Sequence, residues 1–314
     1  MFGASVLVPT LFKIDPAIVL LMNGIGTLIY LFICKGKAPA FLGSSFAFLS
    51  PVFVVLGADQ ALWGANYSYA LGGFIASGLI FCSVALIIGK FGSDWIKVVL
   101  PPATMGPIVA LIGLELAGVA TGMAGIMPDE SGAYNFDAII VSMVTLLVVA
   151  FGSIVFRGFM AVIPVLIGII VGYAVSIGMG MVNFETISTA AVLAMPTIYL
   201  PKFDINMIII IIPASLVVIS EHIGHLVVTG NIVGRDLIKD PGLHRSLLGD
   251  GIATTLSGFM GSVPVTTYGE NIGVMAITRV YSVWVIGGAA VISIALAFIG
   301  KLSAFIQSIP TPVM

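Results

Sequence analysis

Apolar positions run in long blocks along this chain, at about 16–34, 69–89, 98–118, 137–156, 158–182, 205–229 and 281–300. Each block approaches the ~20 residues an α-helix needs to cross the hydrocarbon core of a bilayer, and so predicts a spanning helix. Two further regions are apolar but interrupted. Ala38–Leu56 contains Pro39, Gly43, Ser44, Ser45 and Pro51; Gly251–Met275 contains Gly258, Gly261, Pro264, Gly269 and Gly273. The second of these predicts a helix, a short extended stretch and then a half-helix. The first apolar run ends near Leu11, too short to span, and it lacks the basic start and cleavage site of a signal peptide. The chain is therefore expected to begin inside a helix.

Composition makes the membrane reading firm. Of 314 residues, 59% are hydrophobic and 8% charged, and the mean hydropathy is +1.20. A soluble domain carries about 25% charged residues, so most of this surface must face lipid. The net charge of -2 leaves no basic field for nucleic acid. Cys34 and Cys82 lie in or beside apolar runs and are expected to be free thiols. The 37 glycines and 16 prolines follow no collagen-like period, a usage that suits close helix packing and interrupted helices. Alternating the segments puts Lys35, Lys37, Lys90, Lys97, Arg157, Arg235, Lys239, Arg245 and Arg279 on one side. Only Lys13, Lys202 and Lys301 fall on the other, so the first side is cytoplasmic. The acidic loop with Asp129, Glu130 and Asp137 then faces outward.

An internal repeat is visible. Leu100–Met105 resembles Ile309–Met314 at an offset of 209, and Gly43-Ser44 matches Gly261-Ser262 at an offset of 218. An odd number of crossings separates the broken segments, so the two halves have opposite orientation. Inverted repeats with a discontinuous helix in each half are a transporter pattern, and the breaks mark the binding site. The expected architecture is an all-α polytopic membrane protein. By the logic of two equal halves, the chain lacks part of the first helix and about the last three.

The intramembrane polar residues suggest the chemistry. Unpaired backbone is tolerated in hydrocarbon only against protein or a wet cavity, so the two breaks are expected to face each other and offer free N–H groups to a small polar ligand. The plainer alternative is that Gly and Pro only permit kinks and tight packing. Glu221 interrupts a strongly apolar run, which costs about 2.5–3.5 kcal/mol at a helix centre, and His225 lies one turn on along the same face. Histidine titrates near physiological pH, so Glu221 and His225 form a candidate proton-relay pair; a purely structural hydrogen-bonded pair is the alternative. His222 and His225 lack the zincin order and a third ligand, so no metal is expected. Glu270 follows the second break and would project into the cavity there. Two opposed acids suit a neutral heterocycle with alternating N–H and C=O groups, such as a pyrimidine or purine base. No membrane-embedded Lys or Arg awaits a phosphate or carboxylate. Glu115 reads as structural or vestibular, Asp250 as a helix N-cap with gating as the minor alternative, and Asn23 as interhelical glue.

Several stretches carry a resemblance to a known family. They are Met1–Ala4 with Val8-Pro9, Gly43–Phe48, Glu221-His222-x-Gly224-His225-Leu226, Asp240–Arg245 and Thr266–Arg279. The last contains Asn271-x-Gly273-x-x-x-x-Thr278-Arg279. Together they make the chain similar, along essentially its whole length, to the nucleobase–ascorbate transporters (nucleobase:cation symporter-2), nearest the bacterial members that take uracil. The resemblance implies 14 helices in two inverted seven-helix repeats, split into a core and a gate domain. On that division, residues 1–118 and 205–314 supply core helices, the last stretch reaching the start of the twelfth helix, and residues 119–204 supply gate helices. It further implies that Glu221 and Glu270 bind the base and that Phe46 and Gly269 offer backbone groups. Tyr268 and Ser45 would line the pocket, and His225 would couple protonation to Glu221. Xanthine and urate members commonly carry Gln where this chain has Glu270, so uracil is favoured, although Asp250 matches an Ala-Asp-Gly element better known in purine members. The implied activity is proton-coupled symport of uracil by alternating access, with no cofactor beyond the proton, and the implied assembly is a homodimer.

Three rivals remain. One is a purine permease of the same family. Another is an anion transporter of the same architecture, which would rely on half-helix dipoles rather than two carboxylates. The third is an intramembrane hydrolase with a nucleophile in Gly43-Ser44-Ser45 and His225 as base, for which no Gly-x-Ser-x-Gly elbow is present.

Overall fold

The computed structural model describes residues 2–93, 95, 105–128 and 132–314. In chain order its helices are α1 (Phe2–Phe12), α2 (Pro16–Ile33), α3 (Leu49–Leu56), α4 (Trp63–Phe91) and α5 (Met105–Met123). There follow α6 (Phe136–Val155), α7 (Pro164–Gly178), α8 (Glu185–Thr189), α9 (Ile205–Val233) and α10 (Leu243–Phe259). The last are α11 (Gly269–Thr278), α12 (Val283–Ala297) and α13 (Gly300–Gln307). Two three-residue strands, β1 (Leu42–Ser44) and β2 (Val265–Thr267), fall inside the two interrupted regions. Lys97, Leu100–Thr104, Asp129, Glu130 and the side chain of Glu115 lie outside the described residues.

Local chemistry sets the helix ends. Asp15 caps α2 by accepting the Ala17 N–H at 2.9 Å, with Pro16 at the first helical position, where a missing N–H costs nothing. Asp204 caps α9 through the Asn206 and Met207 N–H groups at 2.9 and 3.3 Å. That helix ends at Gly234 in the left-handed conformation, φ +69°, as helix C-termini favour. Asp250, expected to open a helix, instead lies two turns inside α10 and is fully buried. The helix starts earlier because Gly242 (φ +102°) turns the chain into it at Leu243.

Among the described residues, four helical segments are long and apolar enough to cross a membrane: Pro16–Ile33, Gln60–Phe91, Phe136–Val155 and Ile205–Val233. The predicted blocks 158–182 and 281–300 contract to α7 and α12, each 15 residues long. At 1.5 Å per residue such a helix reaches only about 22 Å. Their starts explain the contraction. The chain from Gly158 to Val162 is a 3₁₀ turn, and α7 cannot begin before Pro164 fixes its first turn. Arg279 takes φ +56° and Ser282 is extended, which delays α12. The block predicted at 98–118 is described as helix from Met105.

Buried apolar side chains gather in two clusters. The larger joins α1–α4 to α9–α12, with Phe12, Phe48, Phe74, Ile211 and Leu247 at its centre. The smaller joins α6 and α7 to the end of the chain through Val141, Ile169, Tyr173, Ile309 and Val313. In the larger body, α4 and α10 approach backbone to backbone. A Cβ on Gly78 would stand 2.6 Å from the Thr255 nitrogen and 2.8 Å from the Gly251 oxygen, so only glycine fits. Small residues make such close seams in membranes, where apolar contact alone does not drive helices together.

The two interrupted regions meet. β1 and β2 pair antiparallel, with Leu42 opposite Thr267, Gly43 opposite Thr266 and Ser44 opposite Val265. The pairing extends at both ends, Ser45 N–H donating to Pro264 O at 3.0 Å and Tyr268 N–H to Phe41 O at 3.1 Å. Each break thus satisfies the other's backbone, which is what hydrocarbon requires of non-helical chain.

Candidate functional site

Both strands lead directly into helical turns whose N-termini carry the candidate residues. After β1, Ser45 precedes a 3₁₀ turn, Phe46–Phe48, that runs on into α3. After β2, Tyr268 is the N-cap of α11, Gly269 its first residue and Glu270 lies in its first turn. A carboxylate there complements the positive end of the helix dipole. Phe46 and Glu270 line a cavity of about 560 Å³ between α1 and the helices α5 and α6. Its walls are mostly apolar, including Leu7, Leu116 and Leu146, and among the described residues carry no Lys or Arg. One acid in an apolar cavity with a backbone turn opposite suits a small, uncharged, planar ligand with N–H donors.

Glu221 and His225 project from α9 toward the same place. Their side chains are 23% and 19% exposed, with His225 Nε2 3.8 Å from Glu221 Oε1, slightly beyond hydrogen-bond reach. His225 Nδ1 lies 3.2 Å from Thr267 Oγ1 at the end of β2. A Cβ on Gly269 would sit 3.1 Å from His225 Nε2, so the bare glycine leaves room for the imidazole. His225 therefore stands between Glu221 and Gly269, the first residue of α11. Among the described residues, neither Glu221 nor His225 is on the wall of that cavity.

Tyr268 lines a much smaller pocket, with His225 and Thr267, than the one Phe46 and Glu270 line. Tyr268 and Ser45 are 4% and 3% exposed and lie behind the larger cavity, inside the larger body. Asn23 donates through Nδ2 to Ser5 Oγ at 3.0 Å, tying α2 to α1. That is the interhelical role expected of it.

A second acid–histidine pair was not singled out from the sequence. His222 Nδ1 is 3.3 Å from Asp250 Oδ2, both side chains fully buried. Around them Thr266 Oγ1 donates to Asp250 Oδ2 at 3.3 Å, and His222 Nε2 meets Ser246 Oγ at 2.8 Å. Ser246 Oγ also meets the Tyr30 hydroxyl at 2.8 Å. The network ties α2, α9, α10 and β2 together. Its sequence signal is Asp250 flanked by Gly249 and Gly251, small residues that bring neighbouring helices onto the acid. Among the described residues no group of three or more His, Cys, Asp or Glu is placed to hold a metal ion. Cys34 and Cys82 are free.

Helices crossing a membrane, with two broken crossings paired at a ligand-sized cavity, define a membrane transporter of the inverted-repeat class. Solved structures agree on the fold. The transmembrane domain of the cyanobacterium bicarbonate transporter BicA matches 98% of this chain and 84% of its own, with a TM-score of 0.67 at 13% identity. SLC26A9 matches 99% of this chain and 54% of its own, with a TM-score of 0.68 at 14% identity. The model of a permease family covers residues 1–314. The uracil permease of Escherichia coli (strain K12) is 60% identical over all of this chain and 72% of its own length. The uracil permeases of Paenibacillus larvae and Bacillus subtilis (strain 168) are 57% and 46% identical, over 74% and 73% of their lengths. The chain belongs to this permease family, the nucleobase–ascorbate transporters, and is a multi-pass protein of the bacterial inner membrane.

Proposed function

We propose that this chain carries uracil into the cell together with a proton, by alternating access. The observation behind the reading is that Glu221 faces His225 at 3.8 Å and His225 lies against Gly269, the residue before Glu270, at the end of the β1–β2 pair. Uracil presents alternating N–H and C=O groups on one planar ring. Glu221 and Glu270 accept its N–H groups, and the backbone at Phe46 and Gly269 meets its carbonyls. Hydrogen bonds to charged groups are worth about 1.5–3 kcal/mol each, enough to select a base without any cation. The relatives at 46–60% identity are named uracil permeases, which favours uracil over a purine.

His225 sits close enough to share a proton with Glu221 after a small side-chain shift, and unlike His222 it is partly exposed. Proton binding at this pair sets the charge at which Glu221 meets the base, which is how proton and substrate are coupled. Residues 1–118 and 205–314 form the moving core, and residues 119–204 belong to the gate against which it moves.

The test is competitive uptake of labelled uracil and xanthine in proteoliposomes, with and without an imposed proton gradient. Uracil uptake that collapses with the gradient is expected. Xanthine uptake would move the assignment to a purine permease, and transport of neither base would overturn the two-carboxylate reading.

A further inference from the structure

Beneath the proposed site lies a chain of buried polar groups that no step of binding or proton transfer uses. Tyr268 is held three ways. Its N–H donates to Phe41 O at 3.1 Å. Its ring covers Gly43 so closely that a Cβ on that residue would overlap the phenol. Its hydroxyl meets Ser5 Oγ at 3.2 Å, and Ser5 Oγ accepts from Asn23 Nδ2 at 3.0 Å.

Asn23 also reaches the other strand. Its backbone carbonyl accepts from Thr27 Oγ1 at 2.7 Å, and Thr27 Oγ1 in turn accepts the Leu42 N–H at 2.9 Å. One residue of α2 therefore anchors both extended stretches. Its side chain reaches the N-cap of α11, and its carbonyl reaches the first residue of β1. Asn23 is fully buried, and its Oδ1 has no hydrogen-bond partner. An apolar residue would fill this position without stranding an acceptor in hydrocarbon, so packing alone does not account for an asparagine.

We infer that Asn23 and Ser5 are positioning residues for substrate recognition: through Tyr268 they fix the first turn of α11 against β1, and so set where Glu270 points relative to the backbone at Phe46. Tyr268 then acts from behind the cavity and not as part of its wall. The inference rests on the reading of Glu270 as a ligand of the base. Geometry of this kind is sensitive, because a hydrogen-bonding carboxylate displaced by about an ångström loses most of its selectivity for a fixed donor.

The experiment compares uracil binding by the purified protein in its wild-type form and as Tyr268→Phe, Ser5→Ala, Ser5→Thr and the double variant Tyr268→Phe/Ser5→Ala. Each protein is also titrated with 1-methyluracil and 3-methyluracil, which lack one ring N–H apiece. Tyr268→Phe and Ser5→Ala are each expected to raise the Kd for uracil about tenfold. They should also narrow the gap between uracil and the methylated base that cannot meet Glu270. The double variant should be no worse than the worse single, because both cut one chain, and Ser5→Thr should restore most of the affinity. A loss that lowers affinity for all three bases equally, alongside the melting temperature, would mean a structural role only and overturn the inference. So would additive losses, or a Tyr268→Phe protein with unchanged affinity and selectivity. If the wild type fails to bind uracil, the substrate reading falls and takes this inference with it. Wild-type binding with unaltered variants sinks the inference alone.

Discussion

Helix α9 offers the same chemistry twice within one turn, and the two copies are treated in opposite ways. His222 meets Asp250 at 3.3 Å with both side chains sealed from solvent and with Ser246, Thr266 and Tyr30 hydrogen-bonded around them. His225 faces Glu221 at 3.8 Å with both side chains partly exposed, and Thr267 as its one side-chain hydrogen-bond partner. The first pair is tied to α2, α9, α10 and β2 and shut off from solvent. The second is partly exposed and has Gly269 beside it. Residue type alone does not separate the two pairs, and neither does the completeness of their hydrogen bonds, since among the described residues Asp250 Oδ1 has no hydrogen-bond partner; their exposure does.

The largest way to break this contrast is Asp250→Ala, which leaves His222 and Thr266 without their acceptor. Removing one partner of a buried pair typically costs about 3–5 kcal/mol. The detergent-solubilised protein should melt markedly lower and bind no better. An unchanged melting temperature would show that the sealed pair is not part of the scaffold. Next in size is Glu270→Gln, which exchanges a charged acceptor for a neutral amide. A loss of about 1.5–3 kcal/mol in uracil binding is expected, roughly 10–150-fold in Kd, with melting nearly unaltered and xanthine gaining relative to uracil. Equal weakening of both bases would remove Glu270 as the selecting residue.

The smallest effect is expected far from the site, on the side rich in Lys and Arg. There Lys37 bonds Asp240 at 2.7 Å, with both side chains largely exposed. The Lys37 hydrogen bond, with its charge, holds the Asp240 carboxyl below its usual value of 3.8. A carboxylate depressed in the folded state contributes stability above its unfolded pKa and loses it as pH falls through the folded value. Wild type should therefore lose slightly more stability than Lys37→Ala on acidification below about pH 4. Near neutrality the two should be almost indistinguishable, since exposed ion pairs contribute little. A large difference at pH 7 would mean that this surface pair organises the cytoplasmic loops.

Much of this arrangement was legible before any coordinates. The two interrupted regions were marked by Pro and Gly inside apolar runs, and the rule that hydrocarbon tolerates no unpaired backbone implied that they would face each other. Their antiparallel pairing is the structural form of that rule. Glu221, His225 and Glu270 stood out because charge is rare in such runs. Helix ends were less legible: α7 and α12 are shorter than their apolar blocks because Pro164 and the left-handed Arg279 set their starts, and hydropathy does not register either. Asp250 was misplaced because a carboxylate after a basic loop resembles an N-cap, whereas Gly242 had already started the helix. The depth of Tyr268 and Ser45 was not readable at all. It depends on the ring lying over Gly43, a contact across more than two hundred residues of chain.

The contrast between the two pairs is tested most directly by Glu221→Gln in proteoliposomes, comparing uracil counterflow with gradient-driven accumulation. If Glu221 and His225 carry the coupling proton, the variant should still exchange uracil, with weakened affinity, and fail to accumulate it when a proton gradient is imposed. Accumulation by Glu221→Gln at the wild-type ratio would place the coupling proton elsewhere and contradict the assignment of the open pair as the working one.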